Sequence, residues 1–145
     1  IDYKKVIAQD DNKEDIKVFN LNKVCDTQSD MTMRKMTITE NSTIVELEWY
    51  NSSYENMRGH VHRPGEEGAF YILDKNTGEK YNLIDKEGIH WATDWTELPS
   101  YSTLTFQLIF ERVNPEIRDF DMIEGNLDTT NENPWHFYDV KINNN

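Results

Sequence analysis

Four clusters in the 145-residue chain carry side chains that could do chemistry. The first is the acidic run "DFDMIEGN", where Asp121 and Glu124 flank two apolar residues ahead of Gly125. Two carboxylates facing each other across a pocket can hydrolyse a glycosidic bond. On a strand, residues three apart point to opposite faces, so Asp121 and Glu124 do not converge. The strand phase favours an architectural Glu124 that accepts hydrogen bonds from neighbouring backbone amides. Glu124→Gln is then expected to cost about 1–3 kcal/mol through weaker charge-assisted bonds.

The second cluster is His60-x-His62. Residues two apart on a strand share a face, so both imidazoles could chelate a metal if His90, His136 or a carboxylate supplied a third ligand. Beside Arg58 and Arg63, a solvated pair is the commoner outcome. The third is "HWATDWTELP", which places Trp91 and Trp95 on a loop-like segment. Indoles on loops can stack on sugar rings, and the alternative is that one of them plugs an open end of the fold. Exposure separates the two cases: a ligand binder shows both indoles, a spacer buries them.

The fourth cluster, "DKNTGEKYNLID", begins like a calcium loop, with Asp74 and Asn76 at its first and third positions. Gly78 then stands at position five instead of six, Asp85 replaces the usual glutamate at twelve, and both flanks read as strands. That pattern predicts a hairpin turn. "NLDTTNEN", from Asn126 to Asn133, is oxygen-rich but reads as a solvated loop. There is no phosphate-binding glycine loop, serine nucleophile elbow or HExxH motif. The single cysteine, Cys25, excludes a disulfide within the chain and reads as a small apolar residue. No catalytic residue and no cofactor is expected, and the chain is read as non-enzymatic.

The elements that must position these groups have a period of two. In "STIVELEWYN", Val45, Leu47 and Trp49 fall on one face, with Glu46 and Glu48 opposite. In "STLTFQLIFE", Leu104, Phe106, Leu108 and Phe110 point inward, and Ile109 interrupts the polar face. Hairpins are predicted at Glu40–Asn41 and at "DKNTGE", where Gly78 supplies a positive φ. "IKVFNLNKV" reads as a first strand, and "FDMIE" and "WHFYDVKI" as the last ones. "GHVHRPGEEG" is the longest loop. Seven to nine short strands with no amphipathic helix predict an all-β antiparallel sandwich of immunoglobulin-like type. The expected organisation is a lead-in over 1–15, one β-sandwich domain over 16–142 and a tail at 143–145.

Acidic residues outnumber basic ones by 27 to 15, a net charge of −12. That charge repels phosphate backbones and anionic lipid, so nucleic-acid binding is not expected. No apolar run approaches the ~20 residues of a membrane helix, so no membrane insertion is expected. The chain opens without an initiating methionine, as a processed product would. Asn41 and Asn51 stand in glycosylation sequons.

Four segments in order, "STIVELEWYN", "YILDKNTGEKYNLIDKEGI", "LPSYSTLTFQLIFERV" and "FDMIEGN" followed by "WHFYDVKI", carry a resemblance. Over roughly Met36 to Ile142 the chain resembles an uncharacterised immunoglobulin-like module of secreted or lipid-anchored envelope proteins from Bacteroidetes-group bacteria. Asp74, Gly78, Tyr81 and Leu83 fit that module's hairpin. Glu87, Gly88 and Ile89 fit the end of the hairpin, and Phe120, Asp121, Ile123, Glu124 and Gly125 fit its acidic segment. Asp139 departs from the pattern, which has glycine there, as does the longer "ERVNPEIRD". The resemblance implies an extracytoplasmic location, a lipid anchor ahead of the module, and an accessory binding or spacer role toward a protein or glycan partner. It carries over no catalytic residues.

Overall fold

The computed structural model describes residues 16–125 and 133–142. The expected lead-in and tail, and residues 126–132 of the oxygen-rich run, lie outside the described residues. The described residues form ten strands and no helix. They are β1 (Lys17–Val24), β2 (Met31–Ile38), β3 (Ser42–Tyr50), β4 (Met57–Gly59), β5 (Phe70–Asp74), β6 (Lys80–Glu87), β7 (Thr96–Leu98), β8 (Thr103–Glu111), β9 (Asp119–Glu124) and β10 (Phe137–Lys141).

Alternation along the chain becomes alternation of burial. In β3, Thr43, Val45, Leu47 and Trp49 are buried and the residues between them are only partly covered. In β8, Phe106, Leu108 and Phe110 are buried and Leu104 is half-buried against the core. Ile109, the interruption of the polar face, lies opposite Ile44 of β3, so two aliphatic side chains cover each other on the outer surface. In β2 the phase changes partway. A register shift between Met33 and Lys35 turns Met36 and Ile38 inward alongside Met31 and Met33.

Eight strands pair antiparallel in one continuous order, β1-β2-β3-β8-β6-β5-β9-β10, while β4 and β7 pair separately. β6 is the corner. Its first residues, Lys80 to Asn82, pair with β5, and Leu83 to Glu87 pair with β8 across a register shift. The sheet therefore folds back on itself around one core. Its edge strands β1 and β10 approach each other, which makes it nearly barrel-shaped. Past the end of β1 the gap is laced by Asp26, whose amide donates to the His136 carbonyl (2.9 Å) and whose carboxylate accepts from the Tyr138 amide (2.6 Å). The expected all-β antiparallel class is what forms. The strands number ten, not seven to nine, because β4 and β7 arise in segments that read as loops.

The "DKNTGE" hairpin forms between β5 and β6. Asp74 Oδ1 accepts from the amides of Asn76 (2.9 Å) and Thr77 (3.3 Å), and Gly78 turns the chain at φ +79°. The departure "ERVNPEIRD" is a packed cap on one pole of the molecule. It buries Val113 and Ile117, and the Val113 amide donates to Thr43 Oγ1 (2.9 Å). Both described ends of the chain meet this cap: Lys17 Nζ reaches the Pro115 carbonyl (3.4 Å) and the Ile142 amide donates to the Arg118 carbonyl (2.9 Å). The starts of β2 and β10 and the ends of β3 and β9 lie at the opposite pole.

Candidate functional site

A cleft of about 390 Å³ opens at that opposite pole. Two indoles form its floor. Trp49, at the end of β3, and Trp135, ahead of β10, meet edge to face with centroids 5.3 Å apart. β4 lies directly on them because residue 59 is glycine. A Cβ there would stand 2.9 Å from Trp49 Cη2 and 3.2 Å from Trp135 Cη2. Asn51 holds the neighbouring loops in place: its Nδ2 donates to the carbonyls of Glu55 (2.7 Å) and Leu98 (3.1 Å), and its Oδ1 accepts from the Ser53 amide (2.9 Å). The asparagine of the Asn51 sequon is thus buried with its amide nitrogen committed, while Asn41 is exposed in the β2–β3 turn.

The acidic groups come from separate elements. Glu124, the last residue of β9, is buried, and its Oε1 accepts from the Trp135 amide (2.9 Å). Its own amide donates to His136 Nδ1 (3.1 Å), which leaves the ring proton of neutral His136 on Nε2. Burial pushes the Glu124 carboxyl up to about 7 and lowers the His136 imidazole. Asp30, just before β2, accepts from Trp49 Nε1 at Oδ2 (3.0 Å). Two enclosed polar atoms, Asp30 Oδ1 and Trp135 Nε1, have no partner among the described residues. Both side chains line the cleft.

One wall is a ladder of stacked groups. The His60 ring stacks on Trp95 with centroids 4.0 Å apart, and the Arg58 guanidinium lies 4.5 Å from the Trp95 ring centre. His60 Nδ1 donates to the Asp94 carbonyl (2.8 Å). A carbonyl can only accept, so Nε2 of neutral His60 is left as an acceptor. His62 meets His60 edge to face at 5.5 Å, and its Nδ1 lies 3.7 Å from Glu66 Oε1. Gln28 and Asn133 complete the rim, joined by a hydrogen bond from Gln28 Nε2 to the Asn133 carbonyl.

Of the residues singled out from the sequence, His60, His62 and Trp95 come together in this cleft, with Glu124 in its wall. Trp91 does not join them. It is half-buried, bridged to the β4 side through Val61, with Arg63 and Lys86 over its ring at 5.8 and 5.4 Å. Trp95 is 44% exposed, so the two indoles meet neither pattern set for a binder or a spacer. No three His, Cys, Asp or Glu side chains cluster at metal-binding distance among the described residues. His90 is exposed, His136 is tied to Glu124, and the His60–His62 pair gains no third ligand from either. Asp121 lies on the other face of β9, where its Oδ1 accepts from the Asp139 amide (2.8 Å).

The sequence does not point to Trp49, Trp135 or Asp30 as site residues. Trp49 carries the signal of a core position, and Asp30 stands in a short turn with no motif. The "PW" step ahead of the last strand is the one legible mark of Trp135, and it reads as strand. No known protein family, curated protein or solved structure matches the chain.

Proposed function

We propose that the chain is a non-catalytic, extracytoplasmic accessory module that binds a hydroxyl-rich ligand, a saccharide, in the cleft between Asp30 and Trp95. The observation that carries this reading is that two residues lining the cleft, Trp135 in its floor and Asp30 beside Trp49, each keep an enclosed polar atom with no partner among the described residues. An enclosed polar atom left without a partner costs about 1–3 kcal/mol. A hydroxyl group both donates and accepts, so one or two ligand hydroxyls answer Trp135 Nε1 and Asp30 Oδ1 together. Around them stand further polar groups on aromatic walls: His60 Nε2, Arg58, Gln28 and Asn133. That mixture of indole surface with a few fixed polar groups suits sugar recognition.

Trp95 acts here as a positioned wall, since His60 and Arg58 already lie over its ring. The divergence of Asp121 and Glu124 supports a binding role over hydrolysis. The extracytoplasmic location rests on the family resemblance, as does the finer fold reading, in which the two limbs joined at β6 act as the layers of an immunoglobulin-like sandwich.

A glycan array probed with the labelled protein tests the reading, with tryptophan fluorescence as a second readout. At least one neutral glycan should be retained and should change the emission of the cleft indoles. Asp30→Ala should remove both effects while the protein still melts cooperatively. Retention of no glycan on the array would refute the saccharide reading.

A further inference from the structure

A second cleft, of about 450 Å³, continues the first. Four residues, Gln28, Asp30, Met57 and Asn133, line both. The far side of the second cleft is Tyr50, Ser52 and Ser53. Each lobe alone falls within the ~300–1,000 Å³ range of small-ligand sites, so the joined clefts exceed what a single sugar unit fills.

The two lobes are also chemically different. In the first, the Trp95 ring is already covered by an imidazole and a guanidinium. In the second, Tyr50 is 43% exposed, and no ring or cation lies over it among the described residues. The free stacking surface is therefore in the second lobe. Its distance from the unpaired acceptor is set by the backbone, because the Tyr50 amide donates to the Asp30 carbonyl (2.8 Å). Asp30, with one unpaired carboxylate oxygen, thus lines both the polar pocket and the lobe that holds the open aromatic ring.

We infer that the ligand is a chain: an oligosaccharide of two or more units lying along the joined clefts, with Asp30 between units and Tyr50 as the stacking platform. This rests on the saccharide reading above. A sugar unit whose hydroxyls lie in the ring plane offers a C–H face to Tyr50 while its neighbour places hydroxyls in the first lobe.

Isothermal titration with gluco-, galacto-, manno- and N-acetylglucosamine oligomers of one, two, four and six units tests the inference. At least one series should tighten about tenfold or more from one to four units, the gain of one stacked ring plus added contacts. Tyr50→Ala should erase that gain, so that one, two and four units of the series bind with about the same affinity. Tyr50→Trp should keep or enlarge it, which guards against a folding defect in the alanine variant. A series that binds with no length dependence overturns the chain inference and leaves the saccharide reading standing. So does a Tyr50→Ala protein with an unchanged gain or with equal loss for all lengths. No binding in any series overturns both.

Discussion

Glu124 shows what a single residue reveals in sequence and what it conceals. Its strand phase sets it opposite Asp121 and assigns it a backbone amide, and the Trp135 amide is there. Its desolvation is not legible, because that depends on packing by residues away from β9 in the chain, Trp135 and His136 among them. The consequence reverses the expected effect of Glu124→Gln. The folded carboxyl titrates at about 7, above its ordinary 4.5. Between those values the folded chain keeps a proton that the unfolded chain releases. The stability present below the lower value is therefore lost as pH rises toward the upper one, by about 3 kcal/mol in all. Glutamine cannot ionise, so Glu124→Gln should gain on wild type across that window and lead by up to about 3 kcal/mol near pH 8. Urea unfolding of both proteins at several pH values checks this, and parallel stability curves would refute it. Asp139 is the other instructive residue. It has φ +53°, in the left-handed region that aspartate tolerates better than most side chains and glycine tolerates best. Asp139 also ion-pairs with Lys75 at the exposed surface, where solvent screens the pair and leaves it little weight in stability. Asp139→Gly should match or exceed wild type in denaturant midpoint, and Asp139→Ala should fall about 1 kcal/mol below the glycine variant.

At the scale of elements, legibility follows length and alternation. β3 and β8 each run nine residues with one apolar face, long enough for a period of two to stand out. β4 and β7 have three residues each, too few for any period. Their pairing, Met57 with Leu98 through Gly59 with Thr96, depends on Asn51 bracing the loops beside them. The sequence marks Asn51 as a sequon, and nothing local distinguishes a modified asparagine from a buried structural one. The cleft is lined by β4 and by Trp95 just ahead of β7, so its location is hidden although four of its residues, His60, His62, Trp95 and Glu124, stand out in the sequence. β8 has the opposite character: it is central, paired on both sides by β3 and β6. Phe106 is buried in that strand and packs near Trp135 at 6.4 Å between centroids. Phe106→Ala should cost about 3–5 kcal/mol in denaturant unfolding. A loss under about 1 kcal/mol would mean that the ring contributes little to the core.

For the whole molecule, composition and periodicity give the class but not the connectivity. The order of strands depends on β8 inserting between β3 and β6, and on β6 changing partners midway along its length. Those pairings join residues far apart in the chain, and no local pattern encodes them. The outcome is a nearly closed sheet whose two outermost strands are its first and last, running in opposite directions, with both described ends against the same cap. This placement has a mechanical consequence. A pull on the two ends draws β1 and β10 away from their neighbours starting at one pole, so the ladder hydrogen bonds are loaded one after another, as in unzipping. A pull between Ile16 and Tyr50, at opposite poles, loads many of them at once along the strands, in shear. In single-molecule stretching the molecule should open at clearly lower force by its ends than by the Ile16–Tyr50 pair. Equal forces would mean that the seam between β1 and β10 bears load as a paired ladder does.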